Sequence, residues 1–380
     1  MALLSMSGCG GSSNSDSNTR KVSNFSKRLF VMNSFYGTIL IMNAENDFFW
    51  PQPISTITNG TGMVVSPDKS LTLVYSNTGG TLHIISNSAE DSAGTISTSA
   101  PTESVAVLSD NKTAVLASRN ATVTNQPNGA VLVLNLTDKA VTSTISLPQA
   151  KTVALNRAGT KVLAFADDSD SVYVIDVTNK TATPISDPSK LSRPVNAIFS
   201  TDDSKAYILN CGAECGGATA SVTVMNMSDN SLGATVPVNG ATVGLLDGSK
   251  LYVAGSPSNV GQLDVVDVGS MTRSQQGVSI ANGYHTVMAM ADGNKLYIGS
   301  RNCTLNGEAG CLSIFNGTTA TIPTTRAPGT VTSVLPIIGR NLAYVTIGGE
   351  LIIFDTTTDA PRTSSQIDIV GFAAYIKQID

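Results

Sequence analysis

Long apolar runs, aromatic side chains, charge and histidine are all scarce in this 380-residue sequence. No stretch of 18 apolar residues occurs, so no segment can span a bilayer as a helix. Aromatic residues make up 5%, with a single tryptophan, which disfavours a large base-stacking platform. The net charge of −5 and the lack of a basic run exclude an electrostatic grip on nucleic acid. Two histidines exclude a multi-histidine metal site, and no metal or cofactor is expected.

The residues that are abundant favour a chain of many short strands joined by turns. Charged residues are only 13% of the sequence, about half the usual share, whereas glycine, serine, threonine and asparagine are plentiful. Valine and isoleucine are frequent between these turn-forming residues. This composition is typical of a large all-β domain rather than of two or three average domains.

An internal repeat of about 45 residues organises the chain. The stretch KLYVAGSPSNVGQLDVVDVG aligns with KLYIGSRNCTLNGEAGCLSIFNG, and each contains a pair of strands separated by a loop. A third strand and then a short apolar strand follow each pair, and Asn- or Asp-rich turns lead into the next copy. Eight copies are recognisable, beginning at Lys27, Ser70, Lys112, Lys161, Lys205, Lys250, Lys295 and Asn341.

Four strands per repeat at this period predict an all-β fold, a β-propeller of four-stranded antiparallel blades. Segments such as VYVIDV are apolar on both faces, as expected of strands packed between neighbouring blades. The C-terminal GFAAYIKQID matches the short apolar strand that the first copy lacks, so it is expected to complete the first blade and close the ring. Residues 27–380 then form one domain of eight blades, with seven as the alternative if a terminal copy is irregular.

The copies LYVAGSPSNVGQLDVVDV and VYVIDVTNKTAT resemble YVTN-type repeats of bacterial propeller proteins. The resemblance spans nearly all of residues 27–380, although it is loose in the first three copies. It implies a propeller in an extracytoplasmic location. It implies little about chemistry, since one propeller fold supports scaffolds, binding proteins and enzymes.

Four of the five cysteines lie in two loops between paired strands, which predicts the disulfides Cys211–Cys215 and Cys303–Cys311. Disulfides of this kind indicate an oxidising compartment. A zinc site made of all four cysteines is the alternative. The spacings C-x3-C and C-x7-C suit it poorly, and the two loops belong to blades that are two apart in the ring.

The N-terminus MALLSMSGCGG resembles the lipobox of bacterial lipoproteins, in which the cysteine becomes lipidated. Residues 1–9 are interpreted as a signal remnant ending at Cys9, and residues 10–26 as a flexible tether. Met6 stands where leucine is usual, and a basic region is missing. A disordered N-terminus with an unmodified cysteine is therefore the alternative. The expected location is the cell envelope, periplasmic or at the surface, with a lipid anchor as the membrane contact.

Candidate binding residues gather on the propeller face that carries the long loops between paired strands and the connections between blades. Variable loops on a rigid scaffold are the usual place for function. Four arginines at a pore mouth could hold a carboxylate or a phosphate, although they could equally be ordinary solvated loop residues. The candidates on this face are Arg119, Arg193, Tyr284, His285, Arg301 and Arg326.

Nothing in the sequence identifies a catalytic centre. Motifs such as G-x-S-x-G, the P-loop and the dinucleotide fingerprint are missing. Glu103 is the acidic residue that can be placed beside the arginines, His83 lies in a strand as a structural residue, and ADDSDSV around Asp168 is better explained as a polar turn than as a calcium loop. The expected function is that of a monomeric binding or scaffold protein for a protein partner or a small anionic ligand. A lactonase-like hydrolase or a lyase with a central pocket is the alternative.

Overall fold

The structure is a computed structural model that describes residues 20–305, 310–362 and 369–380. Its strands form eight four-stranded antiparallel sheets, which confirms the eight-bladed β-propeller and excludes the seven-bladed alternative. Blades 1 to 4, each given from the axis outward, consist of β32 (Ala373–Gln378), β1 (Arg28–Asn33), β2 (Thr38–Asn43) and β3 (Ile54–Ser55); β4 (Gly62–Val65), β5 (Leu71–Tyr75), β6 (Thr81–Ser86) and β7 (Asp91–Ser97); β8 (Ser104–Val107), β9 (Thr113–Ser118), β10 (Ala130–Asn135) and β11 (Ala140–Ser146); and β12 (Ala150–Leu155), β13 (Val162–Ala166), β14 (Ser171–Asp176) and β15 (Thr181–Ser186).

The remaining blades repeat the same order, and helix is confined to three single 3-10 turns in the described ranges. These turns are Gly212–Cys215, Pro257–Asn259 and Asp292–Asn294. Blades 5 to 8 consist of β16 (Pro194–Phe199), β17 (Lys205–Asn210), β18 (Ser221–Asn226) and β19 (Leu232–Pro237); β20 (Val243–Asp247), β21 (Lys250–Gly255), β22 (Gln262–Asp267) and β23 (Thr272–Ser279); β24 (Tyr284–Ala291), β25 (Lys295–Arg301), β26 (Leu312–Phe315) and β27 (Ala320–Thr321); and β28 (Val331–Ile337), β29 (Leu342–Ile347), β30 (Glu350–Asp355) and β31 (Ala360–Pro361).

The burial of each strand follows from its position within the blade. Every residue of β13 and of β29 is buried, because these second strands are covered by a neighbouring blade on each face. The outermost strands are the most exposed, and in TATPIS of β15 no residue is fully buried. The first strands contact their counterparts in the next blade and so form the ring around the axis.

The hydrophobic core is divided among the interfaces between blades. Each of eight buried clusters in the described residues combines side chains of two consecutive blades, including the pair formed by blades 8 and 1. Leu116 and Leu132 of blade 3, for example, pack against Leu73 and Ile84 of blade 2. Because every blade is covered by two others, the ring leaves no apolar sheet face open to solvent.

The C-terminal strand closes the ring as the sequence predicted. β32 pairs antiparallel with β1, so that blade 1 combines both ends of the domain. Asp380 accepts hydrogen bonds from the Arg28 backbone at 2.7 Å and from Arg28 Nε at 2.8 Å. No helix in the described ranges is long and apolar enough to cross a membrane.

Residues 20–26 contact the propeller rim. Arg20 Nη1 donates to the Pro53 carbonyl at 2.7 Å, and the backbone N–H of Ser23 donates to Glu90 at 2.7 Å. Glu90 is fully buried and also forms an ion pair with Arg28, whose Nη1 lies 3.1 Å from Glu90 Oε1. Cys9 and the rest of the expected signal segment lie outside the described residues.

Candidate functional site

The candidate site lies on one face of the ring, where each first strand begins and each second strand ends. We call this the loop face. It carries the loops between the second and third strands of every blade and the connections that enter the next blade. The six candidate binding residues from the sequence occur in these segments or at their strand boundaries.

A cavity of about 570 Å³ opens on this face at the inner ends of blades 7, 8, 1 and 2, and we call it the axial cavity. One charged side chain, two aromatic rings and a set of uncharged polar groups line it. A cavity of this volume is in the range that encloses a small-molecule ligand. The lining residues are Ser34, Asn59, Gly60, Thr61, Thr78, Arg301, Thr330, Thr332, Phe372, Ala374 and Tyr375.

Arg301 is the charged residue of the axial cavity. It ends β25, directly opposite Tyr284 of β24 in the strand register. Its Nε is buried without a hydrogen-bond partner, and no carboxylate lies within ion-pair distance of its guanidinium among the described residues. A buried guanidinium nitrogen without a partner is costly, so this group is suited to receive an anion from outside the protein.

Three tyrosines lie near Arg301: its charge acts on Tyr75 and Tyr284, and Tyr375 lines the same cavity. Burial raises the pKa of Tyr75; Tyr375 adds to that rise, and the positive charge of Arg301 opposes it. Burial raises the pKa of Tyr284 to about 12, with Arg301 again in opposition. The phenols of Tyr75 and Tyr284 therefore stay protonated at neutral pH and keep their hydroxyl hydrogens for donation.

Gly62 gives Tyr75 its access to the axis. The two residues are register partners in β4 and β5. A Cβ at Gly62 would lie 2.1 Å from Cζ of the Tyr75 ring, so the ring occupies the space that any other residue would need. The missing side chain in the first strand leaves room for the Tyr75 ring over Gly62, where the charge of Arg301 acts on the phenol.

An ion-pair network occupies the other side of the axis. Arg119 Nη2 lies 3.0 Å from Glu103 Oε1, and Arg119 Nη1 lies 2.6 Å from Asp167 Oδ2. Lys151 Nζ contacts Asp167 Oδ1 at 2.8 Å and lies 5.8 Å from the centre of the Tyr284 ring. Arg119 is thus already neutralised by carboxylates of blades 3 and 4, which leaves it less able to bind an external anion.

The other two candidate arginines also face carboxylates. Arg193 Nη1 lies 3.8 Å from Asp168 Oδ1, and its backbone N–H donates to Asp170 at 2.9 Å. Arg326 Nε lies 2.5 Å from Glu350 Oε2 on an exposed part of the loop face. Neither arginine lines the axial cavity.

Both histidines are buried away from the axial cavity. His285 is 1% exposed, its Nε2 lies 2.9 Å from the Ala281 carbonyl, and its Nδ1 has no partner. Burial lowers the pKa of His285 to about 4. His83 lies in β6, where its ring nitrogens contact the hydroxyls of Thr56 and Ser92 at 2.8 and 2.7 Å. The described residues therefore contain no carboxylate–histidine pair at His285.

The two predicted disulfides are present, and both lie in loops of the loop face. Cys211–Cys215 and Cys303–Cys311 each close a loop between the second and third strands of their blade. The first loop holds Glu214, which accepts a hydrogen bond from the Ser256 backbone at 2.7 Å. Burial raises the pKa of Glu214, and that hydrogen bond opposes the rise. The pairing leaves no set of four thiolates for zinc.

Several residues of the site carry no recognisable signal in the sequence. Tyr75 and Tyr375 belong to strands and look like core residues, while Thr61 and Thr330 resemble ordinary connection residues. For Tyr75, the one signal in the sequence is the pairing of a tyrosine in the second strand with a glycine, Gly62, in the first strand. Lys151 and Asp167 could be found only by knowing which blades are neighbours.

Comparisons with known proteins support the fold alone. No protein-family model matches the chain. No curated protein matches its sequence. One similar solved structure is the dihydro-heme d1 dehydrogenase NirN in complex with DHE, at a TM-score of 0.67 and 12% identity, covering 91% of this chain and 74% of that one. Another is a functionally unknown protein from Desulfotomaculum acetoxidans DSM 771, at a TM-score of 0.53 and 17% identity, covering 78% of this chain and 94% of that one.

Proposed function

We propose that this propeller is an extracytoplasmic binding protein whose axial cavity takes a small anionic ligand, with Arg301 as the anion-binding residue. One observation carries the proposal. Of the four candidate arginines on the loop face, Arg119, Arg193 and Arg326 face carboxylates, whereas Arg301 lines a cavity and has no carboxylate partner among the described residues.

The neighbours of Arg301 fit the same ligand chemistry. Tyr375 and Phe372 offer apolar ring surface, and the threonine hydroxyls offer hydrogen bonds around it. None of the residues that line the axial cavity is acidic. A ligand with a carboxylate, sulfonate or phosphate on a partly apolar body would satisfy the guanidinium and cover the rings.

A fluorescent anion tests this proposal directly. The probe is 8-anilinonaphthalene-1-sulfonate, which combines a sulfonate with aromatic rings and becomes fluorescent in apolar surroundings. We expect saturable 1:1 binding to the folded protein, weakened about 10- to 100-fold in Arg301→Gln because one charged hydrogen-bonding partner is lost. Arg157→Gln is the matched control, since this exposed arginine lies in a turn on the opposite face. Equal affinities of the two variants would refute the proposal.

A dihydro-haem d1 compound, after which the NirN dehydrogenase is named, does not fit the residues at this cavity. A histidine is the commonest protein ligand of haem iron. Both histidines are buried elsewhere, with His285 bonded to a backbone carbonyl and His83 bonded to two hydroxyls. We therefore propose binding of an organic anion without an iron ligand.

The location rests on the disulfides. Two disulfides in one chain indicate an extracellular or periplasmic compartment. We propose in addition that Cys9 carries a lipid anchor and that the repeats are of the YVTN type. Intact-mass spectrometry of protein expressed from its native upstream region tests the anchor. A diacyl or triacyl increment on Cys9 is expected, and an unmodified mature chain that retains residues 1–8 would contradict it.

A hydrolase or lyase is the weaker candidate. Such a site needs a positioned base, and the acids nearest the axis are engaged: Glu103 and Asp167 pair with Arg119, and Glu214 accepts a backbone N–H.

A protein partner on the loop face remains a prediction.

A further inference from the structure

We infer that the ligand is an acidic oligosaccharide, bound with one uronate at Arg301 and its following sugar units in a groove between blades 1 and 2. The inference rests on the proposed function, because it assigns a ligand class to the same cavity. Its basis is a second cavity that continues the first.

The second cavity has a volume of about 500 Å³ and shares Asn59 and Thr78 with the axial cavity. The two therefore form one groove that runs outward from the axis, and we call it the blade 1–2 groove. Each part alone is in the size range of a small-molecule site, so the groove is longer than one sugar ring requires. The second part is lined by Thr56, Ile57, Thr58, Asn59, Ser76, Thr78, Gly79 and Thr81.

The lining of the groove favours a sugar over a peptide. Most of the side chains in its outer part are hydroxyls, one is an amide, and Ile57 is the large apolar residue. A peptide gains affinity from apolar pockets for alternate side chains, which this lining does not offer. A saccharide presents hydroxyl donors and acceptors on every ring and so matches a surface of threonine, serine and asparagine.

Two hydroxyls of the axial cavity, at the inner end of the groove, are held in place with hydrogen-bonding capacity left over. Thr61 Oγ1 accepts the backbone N–H of Asn77 at 2.9 Å, so its hydroxyl hydrogen remains available to a ligand. Thr330 Oγ1 likewise accepts the N–H of Asn302 at 3.2 Å. The backbone of Asn59 has a φ of 56° and donates to the Ser34 carbonyl at 2.7 Å, while its exposed side-chain amide has no partner among the described residues. Fixed donors of this kind lower the entropy cost of binding a polar ligand.

An exposed aromatic ring lines the inner end of the groove, and two more lie on the neighbouring loop. Phe372 lines the axial cavity and is 43% exposed. It lies beside the loop of Phe35 and Tyr36, because the Ser34 N–H donates to the Phe372 carbonyl at 2.9 Å. Phe35 and Tyr36 are 67% and 55% exposed, with ring centres 4.9 Å apart. The C–H faces of sugar rings pack on such rings, whose faces are electron-rich.

The charge distribution selects an acidic sugar. Arg301 is the charged residue in the lining of the two cavities, and it lies at the inner end. No lining residue is acidic, so a uronate meets no repulsion along the groove. A neutral saccharide could offer the buried Arg301 Nε only an uncharged oxygen, whereas a uronate offers a charged acceptor, which forms the stronger hydrogen bond.

Isothermal titration calorimetry of the full chain with defined saccharides tests the inference. The probes are trigalacturonate, trimannuronate and triguluronate, each with its monomer, and maltotriose as the neutral trimer. We expect at least one acidic trimer to bind 10-fold or more tightly than its monomer, and maltotriose not to bind. Thr81→Val, which removes a hydroxyl that lines the outer part of the groove but not the axial cavity, should weaken the trimer 3- to 10-fold and leave the monomer unchanged. Thr178→Val, on an exposed turn of blade 4, is the matched control.

The results separate this inference from the function on which it rests. If no acidic trimer binds more tightly than its monomer, or if Thr81→Val has no more effect than Thr178→Val, the acidic oligosaccharide is wrong. In that case, weaker binding of the fluorescent anion by Arg301→Gln would still support the proposed function. If Arg301→Gln changes neither trimer nor dye affinity, both proposals fail.

Discussion

Arg28 and Asp380 join the first strand of the propeller to its last. Arg28 Nη2 lies 2.6 Å from Asp380 Oδ1, and Arg28 Nε donates to Asp380 Oδ2 at 2.8 Å. Burial raises the pKa of Asp380, but the hydrogen bonds and charge of Arg28 outweigh it and the net pKa is lowered. The pair thus reinforces the strand pairing that completes blade 1.

Asp380→Asn should therefore weaken closure of the ring. We expect the free energy of unfolding at pH 7 to fall by about 2 kcal/mol, the range for a hydrogen bond to a charged group. Because the folded-state pKa is lowered, the contribution is present above the ordinary value of 3.8 and is lost as the pH falls through the folded pKa. Urea unfolding against pH measures this. Asp247→Asn, at an exposed residue, is the control, and an equal effect of both substitutions would contradict the account.

Gly62→Ala should displace Tyr75 from the axis. A Cβ at that position meets the ring at 2.1 Å, so we expect a loss of about 1–3 kcal/mol from overpacking together with weaker binding of the fluorescent anion. Gly233→Ala is the matched control, because its Cβ would find its nearest neighbour, Val224, at 3.6 Å. Thermal unfolding and dye titration of both variants test this. Unchanged stability and dye affinity in Gly62→Ala would show that the position of the Tyr75 side chain does not depend on Gly62.

His285 should make the protein acid-sensitive well above the range of most carboxylates. Burial lowers its pKa from 6.5 to about 4, so the folded state favours the neutral imidazole. Its contribution is complete above pH 6.5 and is lost progressively as the pH falls toward 4, by up to about 3 kcal/mol. Unfolding by urea between pH 7 and pH 4 should show this slope in the wild type and a flatter one in His285→Gln. Parallel slopes would contradict the prediction.

The Cys303–Cys311 disulfide should stabilise the segment that follows Arg301. The loop it closes spans a separation of 8 residues, for which loop-closure entropy gives about 2–3 kcal/mol as an upper figure. We expect the double variant Cys303→Ser/Cys311→Ser to lower the unfolding free energy by up to that amount and to weaken dye binding. Cys211→Ser/Cys215→Ser, which removes the disulfide of a different blade, is the comparison. No loss of stability under oxidising conditions in either variant would oppose the prediction.

The fold could be predicted from the sequence because its signal is repeated. Apolar second strands such as β13 and the short first strands recur eight times, and the missing first strand at the N-terminus matches the C-terminal segment β32. The outer strands were harder to predict. Three of them, β3, β27 and β31, have only two residues each. Their extent depends on pairing with the adjacent strand rather than on their own sequence.

The candidate site was only partly predictable for a physical reason. An arginine in a loop can be recognised in sequence, but its partners depend on which blades adjoin. Asp167 is 48 positions from Arg119 and yet lies 2.6 Å from it. In the structure, these ion pairs distinguish the neutralised Arg119 from Arg301. No local sequence pattern does so. The groove between blades 1 and 2 likewise exists only once Thr61 and Tyr375 are brought together by closure of the ring.

The central claim, that Arg301 binds an anion in the axial cavity, is tested most directly by nuclear magnetic resonance of protein labelled with 15N-arginine. The Arg301 Nε–H signal is identified by its loss in Arg301→Lys, and 8-anilinonaphthalene-1-sulfonate is then added to the wild type. The account predicts a saturable shift of the Arg301 signal, while the signals of Arg119 and Arg193, which face carboxylates, stay in place. A stationary Arg301 signal with movement of the others would contradict it.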